Sequence, residues 1–211
     1  MLGGCVMKKV IITKVMNYIK KYNNYSDTEL AEIEYGLVSI YLTLSKLIII
    51  AIFAIILGIF KEMVLFLIFF NIIRMPSFGL HATKSWICLI SSGIIFLLIP
   101  YLCTIVELHI IAKTIIGVLN TVLIYTYAPA DTKKRPIVNR KHRFRLKVIA
   151  TCIAFCFTTL SLVISNKFIV NCMIFALLLE NILISPLTYK LFKLPYNNYI
   201  EFLKSHPDFI N

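Results

Sequence analysis

Apolar residues in this chain gather into long runs rather than into alternating stripes. Residues 37–60, 86–106, 110–127, 148–165 and 168–189 are each apolar over a length suited to a bilayer crossing, which takes about 20 residues. A sixth run, 63–73, has only 11 residues. It reads either as a tilted span completed by Lys61 and Arg74 at its ends, or as a half-membrane segment. The pattern predicts an all-α integral membrane protein with about six transmembrane helices in three hairpins; four spans is the alternative count.

Before the first run, residues 7–22 carry a 3.6-residue period. Ile11, Ile12, Val15, Met16, Tyr18, Ile19 and Tyr22 fall on one side, and Lys9, Thr13, Lys14, Asn17, Lys20 and Lys21 on the other. That pattern predicts an N-terminal amphipathic helix at the membrane interface, with its lysines toward anionic headgroups. The alternative is a solvated helix packed on its own domain. Ser26-Asp27-Thr28-Glu29 has capping-box spacing and predicts a helix start that runs on into the first span. The segment 1–36 lacks the apolar core and cleavage site of a signal peptide. The chain divides into a surface segment 1–36, one polytopic membrane domain 37–190 and a polar tail 191–211.

Composition sharpens this picture. Of the 211 residues, 59% are hydrophobic and 15% charged, and the mean hydropathy is +0.85. Lys and Arg number 22 against 10 acids. Most of the cations lie in the N-terminal segment, the 74–84 break, the 131–147 stretch and the tail. The rule that cytoplasmic loops are cation-rich puts all four inside, with both termini cytoplasmic. The basic stretch 131–147 has three readings: contacts to an acidic substrate tail, contacts to anionic lipid, or topology alone. Its candidate residues are Lys133, Lys134, Arg135, Arg140, Lys141 and Arg143. Nucleic acid is not an expected partner, because these cations flank spans and lack interleaved stacking aromatics.

Six cysteines are present. Cys103, Cys152, Cys156 and Cys172 lie within apolar runs, where a free thiol behaves as a small hydrophobe. No spacing calls for a metal, a cofactor or a disulfide framework. Cys88 differs, because it closes a polar break that begins at Arg74 and contains His81. A thiol and an imidazole are the minimum parts of an activated cysteine nucleophile. Ser85 is a candidate cap for a helix starting near Trp86, which would put Cys88 in a first turn whose dipole favours thiolate. Seven residues of straight helix would separate His81 and Cys88 by about 10.5 Å, whereas proton transfer needs about 2.6–3.2 Å. Catalysis therefore requires a bend before His81, for which Pro76 and Gly79 are the signals. The plainer reading makes both residues interfacial packing groups. Lys46, Glu180 and Asn181 lie inside apolar runs and are candidate intramembrane polar groups; Lys46 either pairs with Glu180 or snorkels. Pro186 predicts a kink near the end of the last span.

The break resembles that of the accessory gene regulator protein B family, the membrane endopeptidases of Gram-positive quorum sensing. The likeness rests on Arg74, Gly79, His81-Ala82 and Cys88, spaced R-x4-G-x-H-A-x5-C. It continues in Tyr127-Ala128-Pro129-Ala130-Asp131-Thr132-Lys133, Pro136-Ile137 and the basic run that follows. Phe78 departs from the pattern, since members often carry a second glycine there. The resemblance implies a bacterial multi-pass cell-membrane cysteine peptidase. Cys88 would be its nucleophile and His81 its base, with Arg74 and Gly79 supporting. The implied substrate is a short precursor peptide of the accessory gene regulator D type, cleaved before its acidic tail through an acyl-thioester and closed to a thiolactone or lactone. A homodimer is implied in the same way. The competing readings are a small non-enzymatic membrane transporter of a peptide or ion, built on Lys46, Glu180 and Asn181, and a membrane protein whose basic loops dock a soluble partner.

Overall fold

A computed structural model describes residues 2–22, 25–80, 85–133 and 136–206. Its regular structure is helical, and among the described residues there is no strand; Phe78 and Ala130 form an isolated parallel bridge. The chain forms two compact units, Met1–Phe53 and Ala54–Asn211.

The first unit holds α1 (Leu2–Tyr22) and most of α2 (Asp27–Ile56). In α1 the covered stripe is narrower than the amphipathic pattern predicts. Ile12 and Met16 are buried and Ile19 half-buried, while Ile11, Val15, Tyr18 and Tyr22 are exposed. The predicted capping box opens α2: the Ser26 N–H donates to Glu29 Oε2 at 2.8 Å, and the Glu29 N–H donates to Ser26 Oγ at 3.4 Å. The helix then runs unbroken into the first apolar run. Lys46 lies half-buried within it.

The second unit begins in the last turn of α2. It continues through α3 (Phe60–Ser77), α4 (Ser85–Ile105), α5 (Ile110–Tyr127), α6 (Arg140–Val163) and α7 (Lys167–Ile184). Two short helices follow, α8 (Pro186–Leu191) and α9 (Asn198–Ser205). Five helices, α2 and α4 to α7, are long and apolar enough to cross a membrane. The exception is α3, the segment of the weak 63–73 run. It is 18 residues long, because Lys61, Glu62 and Arg74 are part of the helix rather than its boundaries. The basic stretch 131–147 is likewise not loop throughout. Asn139 accepts from the His142 N–H at 3.1 Å and starts α6, so Arg140 to Lys147 form its first two turns. Pro186 does not kink the last span. The span ends at Ile184, and Pro186 opens α8 behind Ser185, whose hydroxyl accepts from the Leu187 N–H at 3.3 Å.

Helix α7 occupies the middle of this unit and packs against α3, α4, α5 and α6. It is apolar nearly all round because it is surrounded by protein, whereas the other spans keep exposed apolar faces such as Ile111, Ile115, Val118 and Val122 on α5, suited to lipid. Several polar groups on α7 find partners on neighbouring helices. Asn171 Nδ2 donates to the carbonyls of Cys103 and Val106 at 2.9 and 2.8 Å, satisfying the C-terminal end of α4. At that end Lys167 also pairs with exposed Glu107, which holds the Glu107 carboxyl below its ordinary range, first through the hydrogen bond and then through charge. Thr158 of α6 donates to the Gly117 carbonyl of α5 at 3.1 Å, locking that helix pair.

Candidate active site

The opposite end of the second unit gathers the end of α3, the start of α4, the end of α5, the start of α6 and the end of α7. Helix α3 stops because Phe78 and Gly79 both take positive φ, 59° and 98°. Phe78 still closes the helix, its N–H donating to the Arg74 carbonyl at 3.0 Å. A bend before His81 is therefore present at Phe78 and Gly79, whereas Pro76 lies inside α3. Phe78 holds a backbone conformation that glycine adopts without strain, which gives the departure noted at this position a physical meaning. Gly79 is required twice over. Its φ disfavours any side chain, and a Cβ there would lie 2.6 Å from Arg74 Nη1 and 2.9 Å from the Leu183 carbonyl oxygen.

Three backbone hydrogen bonds fix the turn. The Gly79 N–H donates to the Ala130 carbonyl at 2.7 Å, the Ala130 N–H returns to the Ser77 carbonyl at 3.0 Å, and the Leu80 N–H donates to the Leu183 carbonyl at 3.0 Å. Arg74 adds a side-chain clamp. Its Nη1 lies 3.3 and 3.4 Å from the two carboxylate oxygens of Glu180, and its Nη2 donates to the Leu80 carbonyl at 2.6 Å. Glu180 is fully buried and the Arg74 side chain 13% exposed. The ion partner of Glu180 is thus Arg74 rather than Lys46.

The described chain stops at Leu80, one residue short of His81, and resumes at Ser85. His81, the Ser85 side chain, Lys134 and Arg135 lie outside the described residues. Helix α4 begins at Ser85, so Cys88 sits in its first turn, as expected. Cys88 is half-buried and unpaired in any disulfide, with its Sγ 3.9 Å from Ser92 Oγ. That position aims the N-terminal dipole of α4 at the thiol.

Helix α5 ends at Tyr127, one residue before an Ala128–Pro129 step that disfavours helix. The loop then buries Asp131. Its carboxylate accepts from the N–H groups of Asn198 at 3.0 Å and Tyr199 at 2.8 Å, and lies 3.8 Å from Arg143 Nη1. Its carbonyl accepts from Tyr189 Oη at 3.0 Å and Asn198 Nδ2 at 3.3 Å. Asp131 therefore supplies the cap that α9 lacks, since the Asn197 side chain makes none. Burial pushes the phenols of Tyr189 and Tyr196 upward, so both are neutral donors at any ordinary pH.

The basic candidates divide. Lys133, Arg140 and Lys141 are exposed. Arg143 is committed internally, with its guanidinium 3.8 Å from the Tyr199 ring centre as well as beside Asp131. Beside it an open cavity of about 510 Å³ is lined by residues including Tyr127, Pro129, Arg140, Arg143, Lys147 and Tyr199. Asn181 donates through Nδ2 to Asn120 of α5. Sequence reasoning missed Asn120, although it is a polar residue inside an apolar run, the same signal that flagged Asn181. It also missed the part played by Asp131, for which only the Ala-Pro-x-Asp-Thr motif gave a hint. Among the described residues no cluster of His, Cys, Asp and Glu could hold a metal ion.

Comparison with known proteins finds that the family described as Accessory gene regulator B matches residues 12–184. A putative AgrB-like protein of Clostridium acetobutylicum is 30% identical over 184 residues, covering 87% of this chain and 88% of that protein. A second, from Listeria innocua, is 31% identical over 173 residues, covering 81% and 84%. Accessory gene regulator protein B of Staphylococcus aureus is 29% identical over 157 residues, covering 74% and 82%. No solved structure matches the chain.

Proposed function

The chain belongs to the accessory gene regulator B family, and from that premise we propose that it is the membrane cysteine endopeptidase of a quorum-sensing system, with Cys88 as nucleophile and His81 as general base. The observation that carries this reading is the clamped turn at 74–80. It ends α3 and turns the chain directly before His81, which supports the bend that the catalytic pairing requires. Cys88 meanwhile stands half-buried in the first turn of α4, at the N-terminal end of that helix.

The substrate is a short precursor peptide with an acidic C-terminal tail. His81 takes the Cys88 proton, and the thiolate attacks the carbonyl carbon of the peptide bond before the tail. That C–N bond breaks, His81 protonates the leaving amine, and the remaining peptide stays as an acyl-thioester on Cys88. A thiol or hydroxyl within the peptide then attacks the same carbon. The ring closes, the C–S bond breaks and the Cys88 thiol is restored. The thioester stays activated, so ring closure needs no nucleotide, and a site at a protein–membrane edge limits competing water. The exposed cations Lys133, Arg140 and Lys141 face the acidic tail or anionic lipid. The clustering of Arg140 to Lys147 at the site end supports a cytoplasmic position for that end, with α1 lying on the membrane surface. The protein works in the bacterial cell membrane as a homodimer, as the family resemblance implies. Glu180 and Asn181, on which a transporter reading would lean, are engaged with Arg74 and Asn120.

The test is tail release from a candidate precursor by protein in liposomes. Wild type is expected to release the tail, Cys88→Ala to release none, and His81→Ala to be slower by about a hundredfold or more. Unchanged release by Cys88→Ala would remove the nucleophile.

A further inference from the structure

The carboxylate of Glu180 has no part in the chemistry above, yet it is fully buried inside a membrane-spanning helix. A buried ion pair is costly to assemble and gives little net stability, so its presence calls for another reason. The geometry supplies one. Arg74 is a two-handed residue here: Nη1 faces both oxygens of Glu180, and Nη2 grips the Leu80 carbonyl at 2.6 Å. A guanidinium is planar, so fixing one nitrogen against a carboxylate fixes the direction of the other. Leu183 lies one turn after Glu180 on the same helix and takes the Leu80 N–H through its carbonyl. Both backbone groups of Leu80, the residue that leads into His81, are therefore set by α7, one directly and one through Arg74. The fit leaves no slack, because a single Cβ at Gly79 would strike Arg74 and Leu183 together.

We propose that Glu180 is a positioning residue for the catalytic segment: through Arg74 it orients the backbone at Leu80, the residue from which the chain enters His81. This rests on the reading of His81 and Cys88 as the catalytic pair. Displacements of about 1 Å in such pairs cost on the order of a hundredfold in rate.

The experiment needs no precursor. Full-length protein in liposomes is alkylated with iodoacetamide across a range of pH, and modification at Cys88 is read by peptide mass spectrometry. The variants are Glu180→Gln, which keeps shape but removes charge, Arg74→Lys, which keeps the charge facing Glu180 but loses the planar fork, and His81→Ala. Thermal unfolding followed by the single tryptophan, Trp86, reports folding. An imidazole held beside the thiol favours the thiolate. His81→Ala is expected to move the midpoint of alkylation up by about one pH unit, a tenfold loss of thiolate at neutral pH. Glu180→Gln and Arg74→Lys are expected to follow His81→Ala while remaining folded at the assay temperature. Folded Glu180→Gln and Arg74→Lys with the wild-type midpoint, beside a shifted His81→Ala, would overturn the positioning role and leave the catalytic pair standing. An unshifted His81→Ala would overturn the pair itself, and the proposal with it. Should Glu180→Gln fail to fold, Arg74→Lys decides: a wild-type midpoint there reduces the ion pair to a structural contact.

Discussion

Replacing Gly79 by alanine concentrates several consequences of the clamped turn in one methyl group. Gly79 sits at φ 98°, so any side chain there meets backbone strain of about 1–3 kcal/mol. The new Cβ also lies 2.6 Å from Arg74 Nη1, 2.9 Å from the Leu183 carbonyl and 3.0 Å from Ile184 Cγ2. Neither α7 atom moves easily, because α7 is packed on four helices. Arg74 must give way, and the charge-assisted bond to Leu80 that it loses is worth about 1.5–3 kcal/mol. Gly58 provides the control. It too has positive φ, 70°, but a Cβ there meets nothing within 4 Å. Gly58→Ala thus carries strain alone, and the difference between the two variants isolates the clash. In Trp86-monitored melting, Gly58→Ala should lose about 2–12 °C from strain alone, and Gly79→Ala about 3–12 °C more than Gly58→Ala. Tail release should fall at least about tenfold in Gly79→Ala and stay near wild type in Gly58→Ala. Equal melting shifts with wild-type tail release in both would refute the clamp as described.

Other consequences follow from the same contacts. Asp131→Ala removes the cap of α9 and leaves Arg143 without its ion partner, a loss of about 3–5 kcal/mol; limited proteolysis should then cut within 196–206, whereas Asp131→Glu should resist better. The buried Asn120–Asn181 bridge should contribute only about 0.6–1.7 kcal/mol, as bonds between membrane helices do. In melting experiments Asn181→Leu should therefore cost more than the double replacement Asn120→Leu/Asn181→Leu, because the single change strands a buried amide; a double replacement twice as harmful as the single would contradict this.

The parts of this structure that were legible in the sequence are those set by local chemistry. The run 110–127 coincides with α5, and the Ser26 capping box opens α2 as its spacing implies. The bend before His81 also follows from residue type, at Gly79. Helix ends inside polar stretches were harder to see. The start of α6 is hidden because eight residues of basic sequence resemble a loop, although Asn139 carries the capping signal. Lys61 and Arg74 look like borders of a short run but belong to α3, because a helix end at the edge of a membrane domain tolerates charge. Pro186 illustrates an ambiguity, since a proline late in an apolar run either bends one helix or begins the next. The pairing of Arg74 with Glu180 joins positions 106 residues apart, and no periodicity encodes that. The same holds for Asp131 and α9, where a carboxylate reads as the odd acid in a basic loop until the tail folds over it.

The measurement closest to the central claim is intact-protein mass spectrometry of liposome-embedded protein trapped during turnover of a candidate precursor. The account predicts a hydroxylamine-sensitive adduct whose mass equals the precursor minus its tail, present in wild type, absent in Cys88→Ala and slow to form in His81→Ala. Tail release by wild type with no such adduct at any time, undiminished in Cys88→Ala, would contradict it.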